Sequence, residues 1–295
     1  MSCNYVSPPP APRLPVEVSE RIIDWVAALP PAEWYHTLYN DTQALETLRA
    51  CALTCRAWTP RAQLHMFRAL RIKCTPNVPG DINDFRSLLA RVPALATSVS
   101  TVVAISAAYR PSTLHTIPLL LPQLVPRLSY LRLAYGLFYP PPGVFPSMRR
   151  FISVTRLMLW EVTFHSVHDL RRTVNAFRAL QTLEISYISW HESLSPTNTL
   201  YQALSYPASA VRLRDVLIIA GNTWLRDPRS VQFVLWLAKS GALSSLTALR
   251  LDSAMILDAG MLAAVEMAIY AAAGAVEEML LTVGPETECS KRTWY

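Results

Sequence analysis

The side chains that most often act as metal ligands or nucleophiles are few and scattered in this sequence. His165 and His168 are three residues apart, a spacing that could place both imidazoles on one face of a helix. No neighbouring cysteine or acidic pair completes a metal shell, so this pair does not predict a zinc site. Cys51 and Cys55 are four apart on a predicted helix, where small buried hydrophobic residues are a commoner explanation than ligands.

Motifs for phosphate binding and for hydrolysis are also absent from the sequence. It contains no GxGxxG, GxxxxGKS/T, GxSxG or HExxH motif. Only eight glycines occur in 295 residues, which disfavours a glycine-rich phosphate loop. We therefore predict that the protein is not an enzyme, holds no metal and uses no cofactor.

The composition indicates a folded intracellular protein. Hydrophobic residues make up 52% and charged residues 16% of the chain, a balance that does not favour disorder. The net charge of +6 comes from dispersed arginines, and no basic cluster predicts nucleic-acid binding. Five cysteines without a CxxC pair, and no signal peptide, predict the cytoplasm, the nucleus or both. The Ala-rich segment 260–276 is short and contains Glu266, so we expect a buried helix there and no membrane contact.

A periodic pattern of apolar residues is the most informative property of the chain. Apolar residues recur at relative positions 0, +3 and +5 in eight segments, whose first residues are 26 to 33 residues apart. The segments are Phe67/Leu70/Ile72, Val99/Val102/Ala104, Leu128/Leu131/Leu133, Val154/Leu157/Leu159, Leu180/Leu183/Ile185, Leu213/Val216/Ile218, Leu246/Leu249/Leu251 and Val276/Met279/Leu281. Such a period predicts a solenoid, in which each unit buries its apolar side against its neighbours.

The segments between these repeats contain helical patterns with start signals. Ser166 can cap a helix, and Asp227-Pro228 supplies a cap followed by a first-turn proline. Asp258 precedes a further apolar helix, and another pattern begins after Asp81. Alternating strands and helices predict a mixed α/β fold, with the solenoid over 73–284 and a polar tail over 285–295.

The N-terminal region has a different character. Four prolines within residues 1–13 predict a flexible leader. A helix is expected from Pro15, a second from about Thr42 to near Thr59-Pro60, and a short third one before Ile72. We thus predict a three-helix module over 14–72.

This module resembles the F-box, in the form common in fungal F-box proteins. The matching residues are Leu14-Pro15-Val16-Glu17-Val18, then Ile22-Ile23, then TLRACALTCRAWTPRAQLHMFRALRI from Thr47 to Ile72. The last run is similar to the family's LxxCxLxCRxW signature. The join from Ala28 to Glu46 is longer than usual in the family.

The repeats are similar to leucine-rich repeats in their LxxLxL core. The family normally has Asn or Cys at the next inward position to form a buried ladder. This sequence instead has Gly136, Val162, Ile188, Gly221, Ala254 and Gly284. The departure predicts irregular repeats with uneven curvature.

The resemblance implies a function without chemistry of its own. F-box proteins bind the Skp-type adaptor of a cullin–RING (SCF-type) ubiquitin ligase and carry a protein substrate to it. By resemblance, the adaptor-contacting residues are Leu14, Pro15, Val18, Ile22, Ile23, Leu53, Cys55 and Trp58. The alternative is that these residues pack the module's own core, in which case the chain is a non-ligase repeat scaffold with an N-terminal helical cap.

A substrate surface is expected on the concave side of the solenoid. Because side chains alternate along a strand, residues at +2, +4 and +6 lie opposite the buried +3 and +5 positions. The candidates are Tyr130, Arg132, Arg156, Met158, Trp160, Glu184, Asp215, Arg250 and Asp252, with Thr182 and Ser186 beside them. Arg, Trp and Tyr dominate binding hot spots, which favours recognition of a protein. The alternative is a solvated sheet surface without a partner.

Overall fold

The computed structural model describes residues 15–28, 42–74, 80–106, 113–141, 143–191, 209–220, 224, 227–252, 259–272 and 276–282. The chain divides into two compact units, Met1–Ala69 and Leu70–Tyr295. The predicted leader 1–13 and tail 285–295 lie outside the described residues.

The described part of the first unit consists of three helices around a small core. They are α1 (Val16–Ala28), α2 (Thr42–Thr54) and α3 (Thr59–Arg68). The helix α1 follows Pro15 directly, and the Pro15 carbonyl accepts the backbone N–H groups of Val18 and Ser19. Every helix contributes to the core, which contains Ile23, Val26, Leu48, Cys51 and Ala62.

The end of α2 differs from the sequence prediction. The helix ends at Thr54, whereas the prediction continued it to Thr59-Pro60. A turn follows, in which the Trp58 N–H donates to the Cys55 carbonyl at 3.1 Å. Pro60 lies in the first turn of α3, where a helix does not need its missing N–H. The proline therefore begins a helix, and does not end one.

The second unit alternates strands with helices. Its strands are β1 (Ala69–Cys74), β2 (Thr101–Ser106), β3 (Tyr130–Phe138), β4 (Arg156–Phe164), β5 (Thr182–Ser186), β6 (Ser189–Trp190), β7 (Asp215–Ile219), β8 (Ala248–Asp252) and β9 (Glu278–Thr282). Its helices are α4 (Gly80–Arg91), α5 (Pro93–Ser98), α6 (Ile117–Leu124), α7 (Val144–Met148), α8 (Val167–Ala176), α9 (Pro228–Lys239) and α10 (Ala259–Ala272), with a 3-10 turn at Thr113–Thr116. The predicted mixed α/β fold is confirmed.

The strands form one sheet in the order of the sequence. The order is β1-β2-β3-β4-β5-β7-β8-β9, with the short β6 beside β4. The recorded pairings from β2 to β9 are all parallel. Each of the eight predicted apolar segments lies on one of these strands or leads into it, and only β6 was not predicted.

The register aligns equivalent positions of successive segments. Leu131 pairs with Leu157, which pairs with Leu183, and the row continues to Val216, Leu249 and Met279. All of these are the +3 position of their segment. The 26-to-33-residue period of the sequence thus becomes a lateral row in the sheet, because each helix and its loops return the chain to the same level of the next strand.

The core of the second unit lies between the sheet and a layer of helices. The helices from α6 to α10 pack on one another in chain order. Leu157 and Leu159 of β4 are fully buried, as are Leu170 of α8 and Phe233 of α9. The helix α10 is buried along one side only, since Tyr270 is exposed, whereas the sequence predicted a buried helix there. The buried side of α10 faces the core with Met261, Ala264, Val265, Ala268 and Ala272.

Side-chain caps fix two helix starts as predicted. The Ser166 hydroxyl accepts the Asp169 backbone N–H at 3.1 Å at the start of α8. The Asp227 carboxylate accepts the Arg229 backbone N–H at 2.9 Å at the start of α9, where Pro228 follows. Each cap satisfies a backbone donor that has no partner inside the helix.

Candidate binding surfaces

The side of the sheet opposite the helices carries the predicted substrate residues in rows. Tyr130 pairs with Arg156, and Arg132 with Met158, across β3 and β4. Met158 pairs in turn with Glu184 on β5. We call the residues of this side on β3, β4 and β5 the aromatic face: Tyr130, Arg132, Ala134, Tyr135, Arg156, Met158, Trp160, Glu161, Glu184 and Tyr187.

The centre of the aromatic face is packed, not freely solvated. Ala134, Met158 and Trp160 are buried and form a small cluster separate from the main core. The Trp160 and Tyr187 rings meet edge to face with centroids 5.3 Å apart. Tyr130 donates its hydroxyl to the Met158 sulfur at 3.1 Å. The sequence predicted that Tyr130, Met158 and Trp160 face outward, but it predicted neither the part of Ala134 and Tyr187 nor the packing of these residues on one another.

Three residues of the aromatic face have left-handed backbone conformations. Tyr135, Glu161 and Tyr187 have φ values of 58°, 49° and 54°. They follow Ala134, Trp160 and Ser186, which pair across β3, β4 and β5. A non-glycine residue in this region costs on the order of 1–3 kcal/mol, and such strain collects at functional sites. The same strained conformation thus recurs at equivalent positions after Ala134, Trp160 and Ser186, which makes this part of the sheet a candidate functional site.

Sequence reasoning missed these three positions. Their numbers are 26 apart, which equals the spacing of the corresponding apolar segments. That equal spacing could have shown that the three positions are equivalent in successive repeats. It could not have shown their backbone conformation, because Tyr, Glu and Tyr stand there and not the glycine or asparagine that favours a positive φ.

An ion pair joins β4 to β5 at the edge of the cluster. Arg156 Nε donates to Glu184 Oε1 at 2.6 Å, and its Nη2 also contacts that oxygen. The Arg156 guanidinium lies over the Tyr130 ring, 4.9 Å from the centroid. Burial, and then the charge of Glu184, raises the pKa of Tyr130. Tyr130 is therefore a neutral hydrogen-bond donor at physiological pH.

Arg132 is the most enclosed cation of the aromatic face. Only 7% of its surface is exposed, and its guanidinium carbon lies 5.2 Å from the Trp160 centroid. Burial lowers its pKa, although an arginine remains protonated in such surroundings. Its Nε is buried and has no acceptor within the described chain.

The remaining predicted substrate residues lie on β7 and β8, beyond the aromatic cluster. Asp215 accepts a hydrogen bond from the Thr182 hydroxyl at 3.1 Å. Arg250 and Glu278 form an exposed ion pair of 3.3 Å between β8 and β9. Asp252 is buried. These residues continue the polar side of the sheet, but none belongs to the aromatic cluster.

A second surface lies on the three-helix unit. Val18 and Ile22 of α1 are 41% and 40% exposed, and Leu53 of α2 is 87% exposed. Pro15 and Cys55 are also exposed. We call the exposed hydrophobic residues of this unit the apolar helix patch: Val16, Val18, Ile22, Trp25, Leu53 and Leu64.

The other predicted adaptor residues are placed differently. Ile23 is fully buried in the core of the unit, so it does not belong to the apolar helix patch. Trp58 is half-buried and packs against the same core. Leu14 lies outside the described residues. Sequence reasoning missed Val16, Trp25 and Leu64 as patch residues, although Trp25 is 66% exposed.

No metal centre is found among the described residues, which contain no group of three or more suitable His, Cys, Asp or Glu side chains. His165 and His168 do not share a helical face, because α8 begins only at Val167. His165 instead lies beside Tyr139 and His191, with ring centroids 5.7 Å and 6.0 Å away. Within the part of the chain that is described, no helix is long and apolar enough to cross a membrane.

The chain matches no model of a known protein family. No curated protein has a significantly similar sequence.

Proposed function

We propose that the protein is the substrate receptor of a cullin–RING ubiquitin ligase. In this proposal the three-helix unit is an F-box that binds a Skp-type adaptor, and the second unit is an irregular leucine-rich-repeat-like solenoid that binds a protein substrate. The protein itself performs no chemistry.

The observation that carries the proposal is the apolar helix patch. The described part of the first unit buries only a few side chains, and it leaves Val18, Ile22 and Leu53 exposed. Several exposed apolar side chains on one small unit are what an interaction surface requires. These residues are also matching positions of the F-box resemblance. Adaptor binding would remove them from water.

The architecture of the second unit supports the repeat part of the proposal. Its strands are ordered as in the sequence, and equivalent leucines form a lateral row. The residues that replace the family's buried Asn or Cys are themselves buried at Val162 and Ile188. Hydrophobic packing at that position would take over the role of the polar ladder.

The test is co-purification of the full chain with a Skp-type adaptor. We expect wild type to bind, and Ile22→Asp and Leu53→Asp each to reduce binding at least tenfold, because a buried charge without a partner opposes association. Ile152→Asp is the matched control, since Ile152 is 77% exposed but lies in the second unit. Circular dichroism checks that all variants are folded.

The opposite outcome separates this proposal from its alternative. A folded wild type that does not bind the adaptor contradicts the receptor function and leaves a repeat scaffold with a helical cap. Binding that survives both aspartate substitutions contradicts the role of the apolar helix patch.

A further inference from the structure

We infer that Arg132 binds the carboxylate of an aspartate or glutamate in a peptide segment of the substrate. The inference rests on the proposed function and adds to it the chemistry of the recognised group. It is drawn from the burial of Arg132, the pairing of its neighbours and the charges around it.

The guanidinium of Arg132 is enclosed by protein, and no carboxylate of the described residues forms an ion pair with it. The side chain is more than nine-tenths buried, and its Nε has no acceptor in the described chain. Buried polar groups almost always have a hydrogen-bond partner, and an unpaired buried cation is more costly still. Trp160 offers its ring face at 5.2 Å, which compensates a cation only in part.

The acidic neighbours of Arg132 are engaged elsewhere. Glu184 lies in the same row of the sheet, with Met158 between them. Its carboxylate accepts from Arg156. Glu161 accepts the indole N–H of Trp160 at 3.1 Å. Both carboxylates therefore have donors other than Arg132, which keeps its hydrogen-bonding capacity for another acceptor.

The charge balance favours a carboxylate over a phosphate. Arg156 and Glu184 cancel each other, which leaves Arg132 as the cation of the cluster. Arg71 adds positive potential, and Glu184 adds negative potential, at the Arg132 guanidinium. A carboxylate carries one negative charge and matches the planar arginine fork with two hydrogen bonds. A phosphate carries nearly two charges, and Glu161 and Glu184 would repel it more strongly.

The surroundings suit a side chain presented by a peptide. Tyr130, Tyr135, Trp160 and Tyr187 provide aromatic surface next to Arg132, the combination found at binding hot spots. The left-handed conformations of Tyr135 and Tyr187 bring these tyrosines into contact with the cluster. In this low-dielectric setting an arginine–carboxylate pair is stronger than on an open surface.

The experiment is a selection of phage-displayed random heptapeptides on the full-length chain. We expect the enriched peptides to share an Asp or Glu at one position. For the best synthetic peptide, replacing that acid by its amide should weaken binding to wild type at least tenfold. This comparison needs no protein variant, so it remains decisive if an Arg132 substitution fails to fold.

Protein variants locate the effect. Arg132→Gln should weaken the acidic peptide at least tenfold, and should bind the acidic and amide peptides equally. Arg132→Lys should retain part of the preference, because the charge stays while the fork is lost. Arg149→Gln is the control, since Arg149 is an exposed arginine directly after α7 and lies outside the aromatic face. It should leave the preference unchanged.

The failures of the two proposals are distinguishable. Suppose that Trp160→Ala abolishes peptide binding, while replacing the peptide's acid by its amide does not weaken it. This result would overturn the role of Arg132 but keep the aromatic face as the binding surface. A phosphoserine peptide that binds more than tenfold tighter than its aspartate counterpart would overturn the carboxylate assignment. If wild type enriches no peptide, the proposed substrate surface fails together with the inference.

Discussion

The carboxylate of Asp24 and the guanidinium of Arg61 form a two-pronged contact between α1 and α3, with Nε–Oδ1 and Nη2–Oδ2 distances of 2.6 Å and 2.7 Å. His65 adds a third contact to Oδ1 at 2.7 Å. Asp24 and Arg61 are partly exposed, whereas the His65 side chain is 11% exposed, and the three residues connect the first and last described helices of the unit.

This contact makes the three-helix unit sensitive to acid. The hydrogen bonds from Arg61, and then from His65, hold the pKa of Asp24 well below its ordinary value of 3.8. A lowered folded-state pKa means that the stabilisation is present above about pH 4 and is lost as the pH falls towards the folded value. Asp24→Asn should lower the melting temperature at pH 7 and reduce its further decrease between pH 6 and pH 3.

The size of that effect is limited by solvent, because the Asp24 side chain is 39% exposed. We expect a loss of about 0.5–1 kcal/mol in the free energy of unfolding at pH 7. Glu46→Gln, an exposed acid on α2, is the control and should leave both measurements unchanged. Equal acid sensitivity of wild type and Asp24→Asn would contradict the assignment.

A buried hydrogen bond between Trp190 and Ser230 should be needed for the stability of the second unit. The indole N–H donates to the Ser230 hydroxyl at 2.9 Å, and both residues are buried. Ser230→Ala leaves this donor without a partner, at a cost of about 1–3 kcal/mol in denaturant unfolding. In the Trp190→Phe background the same substitution should cost less, since no donor remains. Additive effects in this double-mutant cycle would show that the bond contributes nothing.

Truncating a leucine to alanine should cost more stability on the interior strand β4 than on β9. Leu159 on β4 is fully buried, so Leu159→Ala should lower the free energy of unfolding by about 2–5 kcal/mol. Leu280 on β9 is 44% exposed, and Leu280→Ala should cost less than about 1 kcal/mol. Urea denaturation followed by circular dichroism measures both. Similar costs at the two positions would contradict the difference in burial between β4 and β9.

At Glu161 the left-handed backbone conformation should make asparagine more stable than valine, the reverse of the usual order in a strand. Asparagine tolerates a positive φ, whereas a β-branched residue does not. Glu161→Asn should therefore be more stable than Glu161→Val by about 1 kcal/mol or more. On β2, Val103 is the control, because it lies in the strand without a positive φ and Val103→Asn should be destabilising. A preference for valine at both positions would contradict the backbone assignment.

The strands could be predicted from the sequence because their apolar spacing is set by the core alone. Leu157 and Leu159 must both face the helices, and the equivalent pairs on β2, β3, β5, β7 and β8 are buried in the same core, whereas Met279 on β9 is 52% exposed. The two-residue β6 is too short to produce such a pattern. The predicted end of α2 was wrong because a proline can either stop a helix or begin one, depending on the turn before it. The residue types from Cys55 to Trp58 do not reveal that a turn forms there.

The candidate surfaces were only partly predictable. Alternation along a strand places Arg132 and Trp160 on the side away from the core, as expected. Tyr135 and Tyr187 also pack against this cluster, and both have left-handed backbone conformations. Their residue types did not predict these conformations. On α1, helical spacing groups Ile22 and Ile23 as apolar, but only packing against α2 and α3 decides that Ile23 is inside and Ile22 outside.

The sequential order of the strands has a mechanical consequence. Each strand from β2 to β8 is held laterally by its immediate neighbours on the main path of the sheet, and only β6 branches from it. A pulling force along the row would therefore load its interfaces in series. We expect the weakest interface, and not the average one, to set the force at which the row comes apart.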